Sequence, residues 1–157
     1  LNLKDIVIVS PDVGNVKTAN VFAQDLGGEL AIIDKRRESG SEAIATRVIG
    51  IVEGKDVLMF DDIIATAGTI CSAAKLVKDH GAKSVRVGAT HGVFAPPALE
   101  RLADAPIDEV VVTDTIPLND ATRQLDVIRV LSVAPMLGEV IKRTHRNESV
   151  SSLFNNI

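Results

Sequence analysis

Hydrophobic and polar positions along the chain fall into segments with two different periods. Short runs of β-branched and other apolar residues, each followed by polar or turn-forming residues, predict buried β-strands. Seven such runs occur, at residues 6–9, 30–33, 48–52, 57–60, 85–89, 110–112 and 128–133.

Helical periodicity separates most of these runs. In residues 15–26 apolar side chains recur at helical spacing, and Gly27 and Gly28 follow where a helix C-terminus favours glycine. Gly81 closes a second predicted helix in the same way, and Pro96 suits the first turn of a third. The predicted helices span residues 15–26, 69–80, 96–102 and 136–143.

The alternation of strands with helices predicts parallel βαβ units. Because continuous apolar strands are buried on both sides, we expect an α/β fold in which helices cover both faces of a parallel twisted sheet. Residues 1–157 are expected to form a single domain of this kind. Two polar stretches, residues 35–42 and 119–123, lack a period and are predicted to be surface loops.

Composition narrows the range of partners. Of 157 residues 46% are hydrophobic, which supports a buried core, while a formal net charge of −4 and scarce aromatic residues disfavour nucleic-acid binding. The single cysteine, Cys71, cannot form an internal disulfide. Lys4 and Asp5 interrupt the first apolar run, and no run approaches the roughly 20 residues of a membrane span. We therefore expect a cytoplasmic protein without a signal peptide or a membrane partner.

Polar residues collect where the predicted strands end. Ligands of open parallel sheets bind beyond the carboxyl ends of the strands, so these positions are candidate site residues. Taken singly, each also fits an ordinary polar turn, because turns are rich in Asp and Thr. The candidates are Asp12, Asp34, Lys35, Asp61, Asp62, Thr90, His91, Thr113 and Asp114.

The strongest local feature is the acid pair Asp61 and Asp62, followed by the small, hydroxyl-rich turn of residues 66–69 and a predicted helix. Gly68 allows close backbone approach to a ligand, and the helix N-terminus favours an anion. The pattern indicates a phosphate site beside two carboxylates, whose partners would be sugar hydroxyls or hydrated Mg²⁺. A capped helix without a ligand is the simpler alternative. The chain contains neither the P-loop nor the dinucleotide-binding glycine motif.

Residues 61–69 resemble the ribose 5-phosphate loop of type I phosphoribosyltransferases, which is two acids, a spacer and T-A-G-T or T-G-G-T. Further segments narrow the resemblance to ribose-phosphate pyrophosphokinases, and it covers essentially the whole chain. By this resemblance the chain corresponds to the C-terminal one of two similar domains. The other matching segments are residues 10–14, 31–37, 90–92, 112–117, 131–135 and 147–154.

The resemblance implies a Mg²⁺-dependent transfer of the β,γ-diphosphoryl group of ATP to the C1 hydroxyl of ribose 5-phosphate, in a homo-oligomer of the hexameric type. Lys35 and Arg37 would be the catalytic cations and Asp12 a Mg²⁺ ligand. Asp61 and Asp62 would hold the ribose hydroxyls. The remaining substrate-binding positions would be Ala65, Thr66, Ala67, Gly68 and Thr69 for the 5-phosphate, and Val13, Gly14 and Asn15 on the pyrophosphate side.

The chain departs from the family pattern at two positions. Ala65 stands where many members carry a third acid, and Asn15 where many carry a glycine. His91 is expected to be structural, since the functional histidines of the family lie in the other half. We expect the chain by itself to bind ribose 5-phosphate but to turn over poorly. Two alternatives stay open: a non-catalytic regulatory homologue, and a phosphoribosyltransferase that consumes phosphoribosyl pyrophosphate and a base.

Overall fold

The computed structural model describes residues 3, 5–37 and 44–154, without the side chains of residues 35–37 and 44–46. Within these described ranges, seven strands form one sheet: β1 (Ile6–Ser10), β2 (Glu29–Arg37), β3 (Ile44–Ile49), β4 (Asp56–Ile64), β5 (Ser84–Gly92), β6 (Glu109–Thr113) and β7 (Ile128–Leu131). The helices are α1 (Val16–Leu26), α2 (Gly68–Asp79), α3 (Ala98–Asp104), α4 (Asp120–Arg123) and α5 (Ala134–His145), followed by a 3₁₀ turn at Ser151–Leu153.

The strand order is β3-β2-β1-β4-β5-β6-β7, and every neighbouring pair except β2–β3 is parallel. The predicted α/β sheet is therefore confirmed, but its uniformly parallel character is wrong at one edge. β2 and β3 follow each other without an intervening helix, and strands joined in this way pair antiparallel.

Helices lie on both faces of the sheet, as the sequence predicts. On one face α1 buries Ala19 and Ala23 against Ile8 and Leu58. On the other face α2 and α3 cover the larger cluster, to which all the central strands contribute. β7, at the edge, has no fully buried residue. None of the helices in the described ranges has both the length and the apolar character needed to cross a membrane.

Several boundaries differ from the sequence prediction because strand pairing continues past the polar residues. β2 runs through Lys35 to Arg37, paired with β3, so the loop predicted for residues 35–42 is wrong at its first three positions; residues 38–43 lie outside the described part. β4 and β5 pair as far as Ile64 and Gly92, so the acid pair lies within a strand.

Two further predictions are corrected. Residues 119–123 are not an irregular loop: Asn119 caps α4, and its side chain accepts a hydrogen bond from the Thr122 N–H at 2.8 Å. The strand predicted at 48–52 begins and ends earlier, at Ile44–Ile49. It stops before Gly50, whose φ of 113° and close packing on Ala31 suit only glycine. α3 and α5 begin within two residues of their predicted starts.

Gly92 is predicted to be essential for packing at the end of β5. A Cβ at this position would lie 2.5 Å from the ring of Phe94, which is buried and has a left-handed φ of 47°. We expect Gly92→Ala to lower the free energy of unfolding by about 1–3 kcal/mol, as overpacked cores do. Urea denaturation measures this difference.

The control is Gly138→Ala on the exposed face of α5, where a Cβ meets nothing within 4 Å. It should raise stability by about 0.5–1 kcal/mol, because glycine disfavours helix interiors. Equal stability of Gly92→Ala and the unaltered protein would mean that the Phe94 ring has room for the methyl group.

Candidate functional site

The candidate site lies where β1 and β4 are neighbours in the middle of the sheet. After β1 the chain continues into α1 on one face, and after β4 it continues into α2 on the opposite face. The connections that leave adjacent strands toward opposite faces open a crevice at the carboxyl edge of the sheet, where open α/β sheets bind ligands. The sequence-predicted loops of residues 11–15 and 65–69 flank this crevice.

The β1–α1 loop, residues 11–15, is held by its own polar groups. The Ser10 hydroxyl donates to the carbonyl of Asp12 at 2.7 Å, and the Asn15 N–H donates to a carboxylate oxygen of Asp12 at 2.9 Å. The Asn15 side-chain amide donates to the carbonyl of Phe60 at 2.9 Å, one residue before the acid pair. Asn15 therefore ties the loop that carries Asp12 to the strand that carries Asp61.

The acid pair lies in the second half of β4. Asp61 is half-buried, Asp62 is exposed, and the Asp62 N–H donates to a carboxylate oxygen of Asp61 at 2.9 Å. Burial raises the pKa of Asp61 above its ordinary value, and the side chain of Asp62 and the charge of Asp12 raise it further. Asp12, Asp61 and Asp62 line one cleft, and a cation or hydroxyl donors placed among these carboxyl groups would favour the ionised form of Asp61.

Residues 65–67 connect β4 to α2, and together with the first two residues of α2, Gly68 and Thr69, they form the 65–69 turn. Ala67 is buried and has a left-handed conformation, with φ 57° and ψ 6°, directly before the first residue of α2, Gly68. The first N–H groups of a helix have no intrahelical acceptor, and the helix dipole favours an anion at this end. Exposed Thr66 and Thr69 add hydroxyl groups to the same turn. The turn offers donors to a phosphate group.

Two adjoining clefts share Asp61. One, of about 490 Å³, lies between the β1–α1 loop and the acid pair, and the other, of about 140 Å³, lies over the 65–69 turn. Asp61 thus stands between the space for a phosphate and the space for a larger group. The first cleft is lined by Asp12, Gly14, Asn15, Thr18, Phe22, Asp61, Asp62 and Thr90.

A larger cleft of about 590 Å³ lies away from this edge, on the sheet face of β5–β7 that α1 leaves open. Its lining is mostly apolar, apart from a row of charges in which Arg86 and Arg129 flank Glu109 at 3.7 and 3.5 Å. None of the predicted site residues lines it. We therefore place the site at the two smaller clefts, where the candidate chemistry is.

Other candidate strand-end residues have structural partners. A ring nitrogen of His91 is 2.8 Å from the Thr115 hydroxyl, and Thr113 donates to the carbonyl of Thr90 at 2.7 Å. Asp114 accepts from the Val133 N–H at 2.9 Å, just before α5. The Ser132 hydroxyl and this N–H hold the pKa of Asp114 below its ordinary value. These contacts fasten β6 to its neighbours, which agrees with the structural role expected for His91.

The remaining predicted residues differ in how far the structure locates them. Gly14 and Asn15 line the larger site cleft, and Ala65 lines the smaller one. Val13 is exposed and lines neither. For Lys35 and Arg37 the structure gives only backbone positions in β2, so their catalytic role stays a prediction.

Thr18 and Arg101 are among the residues at the site that sequence reasoning missed. Thr18 lines the cleft because it lies one helical turn beyond Asn15, a spacing that could have identified it. Arg101 in α3 donates from Nη1 to the carbonyl of Thr66 at 2.9 Å, and nothing in the local sequence around residue 101 indicates this contact. Within the described ranges, no three His, Cys, Asp or Glu side chains are arranged to hold a metal ion by themselves.

Comparison with known proteins gives one family match and a consistent set of relatives. The family model described as "Phosphoribosyl synthetase-associated domain" matches residues 41–155. The ribose-phosphate pyrophosphokinase of Rhodopirellula baltica is 51% identical over 151 residues, covering 96% of this chain and 48% of that protein. The one from Helicobacter hepaticus is 50% identical over 153 residues, covering 98% and 48%. The chain thus spans about half the length of the curated relatives it matches.

Solved structures support the same fold. The crystal structure of phosphoribosylpyrophosphate synthetase from Mycobacterium smegmatis superimposes with a TM-score of 0.83 at 41% identity, covering 92% of this chain and 46% of that one. An adenine phosphoribosyltransferase structure gives a TM-score of 0.53 at 21% identity, covering 71% and 68%, and shares the fold alone. Both comparisons agree with the phosphoribosyltransferase-like sheet expected from the sequence.

The raised pKa of Asp61 predicts a stability penalty at neutral pH. Because the folded state favours the protonated carboxyl, the penalty is absent below the unfolded-state pKa and is fully present once the pH has risen through the raised folded-state pKa. We expect Asp61→Asn to raise the free energy of unfolding at pH 7 by less than about 1 kcal/mol, since solvent screens the half-exposed group. The gain should disappear on acidification, in denaturation curves recorded with EDTA.

Asp56 provides a control of opposite sign. The Ser84 hydroxyl, at 2.6 Å, lowers the pKa of this buried carboxyl against the effect of burial, and Lys83, at 3.2 Å, lowers it further. Its stabilisation is present above the unfolded-state pKa and is lost as pH falls through the lowered folded-state pKa. Asp56→Asn should therefore cost about 1–3 kcal/mol at pH 7. Destabilisation by both substitutions at pH 7 would contradict the account of Asp61.

Proposed function

The chain belongs to the phosphoribosyl synthetase-associated domain family, and from this premise we propose that it is the ribose 5-phosphate-binding half of a ribose-phosphate pyrophosphokinase. The reaction would transfer the β,γ-diphosphoryl group of ATP to the C1 hydroxyl of ribose 5-phosphate, with AMP as the leaving product. The relatives named above share 51% and 50% sequence identity with this chain over nearly its whole length, which supports a pyrophosphokinase over a regulatory homologue.

The observation that carries the proposal is the acid pair beside the 65–69 turn at the β1–β4 crevice. A 5-phosphate in the smaller cleft would accept hydrogen bonds from the first N–H groups of α2 and from Thr66 and Thr69. The ribose would then lie against Asp61 and Asp62, whose carboxylates accept hydrogen bonds from its hydroxyls. The site cleft of about 490 Å³ on the other side of Asp61 leaves room for the diphosphoryl group.

The donor set of the site suits a divalent cation shared with the substrate. Asp12, Asp61 and Asp62 place negative charge around one cleft, but the described residues hold no complete protein cage. Mg²⁺ binds in this way, through one or two carboxylates together with phosphate oxygens and water. Asp12 would be the protein ligand, and the ion would neutralise charge on the diphosphoryl group. Asn15 fixes Asp12 for this task through its backbone N–H.

Lys35 and Arg37 would supply positive charge to the transferred group. Phosphoryl transfer depends mainly on positioning and on neutralising charge, so two cations on β2 beside β1 suit this role. Because the chain spans half of its relatives, we propose that the adenine contacts come from the part of the enzyme that the chain does not include. A cytoplasmic location and a homo-oligomeric assembly complete the proposal.

Thr69 is predicted to contribute to 5-phosphate binding. Thr69→Val should weaken ribose 5-phosphate binding about tenfold, because it removes one hydroxyl donor to a charged group. Isothermal titration of the chain with ribose 5-phosphate measures the change. The matched control is Thr144→Val, which removes an exposed hydroxyl that donates to the Val140 carbonyl on α5. Equal affinity in the two variants would speak against a phosphate at the 65–69 turn.

The catalytic cations are predicted to act on turnover rather than on binding. In enzyme that contains both halves, Lys35→Ala or Arg37→Ala should lower kcat about 100-fold or more, the size of effect seen when charge stabilisation of a transition state is removed. The ribose 5-phosphate affinity should change little. Phosphorus NMR identifies the products, and AMP formed from ATP and ribose 5-phosphate would exclude both a regulatory homologue and a base-consuming phosphoribosyltransferase.

The control for these variants is Arg146→Ala, which removes an exposed cation after the end of α5. Its kcat should equal that of the unaltered enzyme. Unchanged kcat in both the Lys35 and the Arg37 variants would contradict the proposed catalytic role of these residues.

A further inference from the structure

The 65–69 turn is supported from outside the site by a residue of α3. Arg101 reaches across from this helix, and its Nη1 donates to the carbonyl of Thr66 at 2.9 Å. A Cβ on Gly68 would lie 3.1 Å from the same nitrogen, so an added methyl group would push the guanidinium aside by a few tenths of an ångström. The guanidinium also lowers the pKa of Cys71 against the larger, opposing effect of burial, which places its charge beside the first turn of α2.

The orientation of one peptide group depends on this contact. The Thr66 carbonyl and the Ala67 N–H belong to the same planar trans peptide, so they point in opposite directions. With the carbonyl directed to Arg101 in α3, the Ala67 N–H is directed to the other side of the turn. Ala67 holds a left-handed conformation that residues with a Cβ disfavour, so the peptide requires external contacts to keep this orientation.

We propose that Arg101 is a positioning residue that fixes the Thr66–Ala67 peptide so that the Ala67 N–H is presented to the 5-phosphate. The inference rests on the proposed ribose 5-phosphate function and assigns to that site a residue 35 positions away from the carbonyl it holds. Gly68 assists this contact, because the absence of a side chain at this position gives the guanidinium room beside the turn.

Substitutions at position 101 separate the hydrogen bond from the charge. Arg101→Ala removes both, whereas Arg101→Gln keeps an N–H donor of shorter reach without the charge. We expect Arg101→Ala to weaken binding of ribose 5-phosphate and of inorganic phosphate about tenfold, the loss of about one hydrogen bond to the turn. Arg101→Gln should recover part of this loss. Calorimetric titration of the chain with each ligand provides the dissociation constants.

The matched control is Lys75→Ala, which removes an exposed cation from the same side of α2, in the groove that Arg101 also lines. Its affinity should stay within about twofold of the unaltered chain, because exposed charges at a distance are screened. Equal losses of affinity in Lys75→Ala and Arg101→Ala would mean that charge alone acts and would overturn the inference. A further variant, Arg101→Lys, keeps the charge. If Arg101→Lys binds as tightly as the unaltered chain while Arg101→Gln binds as weakly as Arg101→Ala, the inference is overturned as well.

A double-mutant cycle with Gly68→Ala tests the geometry directly. In the unaltered background the added Cβ displaces the guanidinium and should weaken phosphate binding, whereas in the Arg101→Ala background the same change should cost less. Strictly additive losses would overturn the inference. Thermal unfolding of every variant verifies that the fold is retained.

The proposed function and the role of Arg101 are overturned by different results. If the unaltered chain binds neither ribose 5-phosphate nor phosphate, the proposed function is overturned and the role of Arg101 falls with it. If the unaltered chain binds both and Arg101→Ala binds them equally well, the role of Arg101 alone is overturned.

Discussion

Parallel pairing of β1 with β4 is the constraint on which the geometry of the site depends. The register sets Ile6 opposite Asp56 and Ile8 opposite Leu58, so the two strands leave the sheet at one edge, side by side. Their helices depart to opposite faces, which keeps the crevice between the loops open. The Asn15 side-chain amide joins the loop to β4 by donating a hydrogen bond to the Phe60 carbonyl. The rings of Phe22 and Phe60 stack, with 4.1 Å between their centroids. A shift of either strand would separate Asp12 from Asp61.

The central strands could be predicted from sequence because burial on both sides makes them continuously apolar. The limits of β4 and β5 could not, since Asp61 and His91 stay in the sheet only through pairing with each other's strand, a non-local contact. A strand was predicted at residues 48–52, but its start at Ile44 and its antiparallel pairing with β2 were not. α4 was missed because its four residues show no hydrophobic period, and only the cap by Asn119 reveals the helix.

The candidate site shows the same division between local and distant information. The acid pair and the 65–69 turn lie within nine residues of sequence, and their chemistry could be predicted from that segment. Arg101 comes from another helix, so no local pattern could assign it to the turn. The role of Asn15, a departure from the family pattern, is visible only in the structure, where its side-chain amide joins the β1–α1 loop to β4. The catalytic role of Lys35 and Arg37 is proposed from the sequence, and their side chains lie outside the described part of the structure.

The row formed by Arg86, Glu109 and Arg129 bears on the behaviour of the chain in solution. These residues cross three neighbouring strands on the sheet face that α1 leaves open, among apolar neighbours such as Val111 and Leu131. Without these charges the face would be a continuous exposed apolar patch, the kind of surface that associates with other molecules. These three charged residues therefore matter for solubility as well as for structure. Neutralising them would lower the solubility of the chain even in variants that keep the fold.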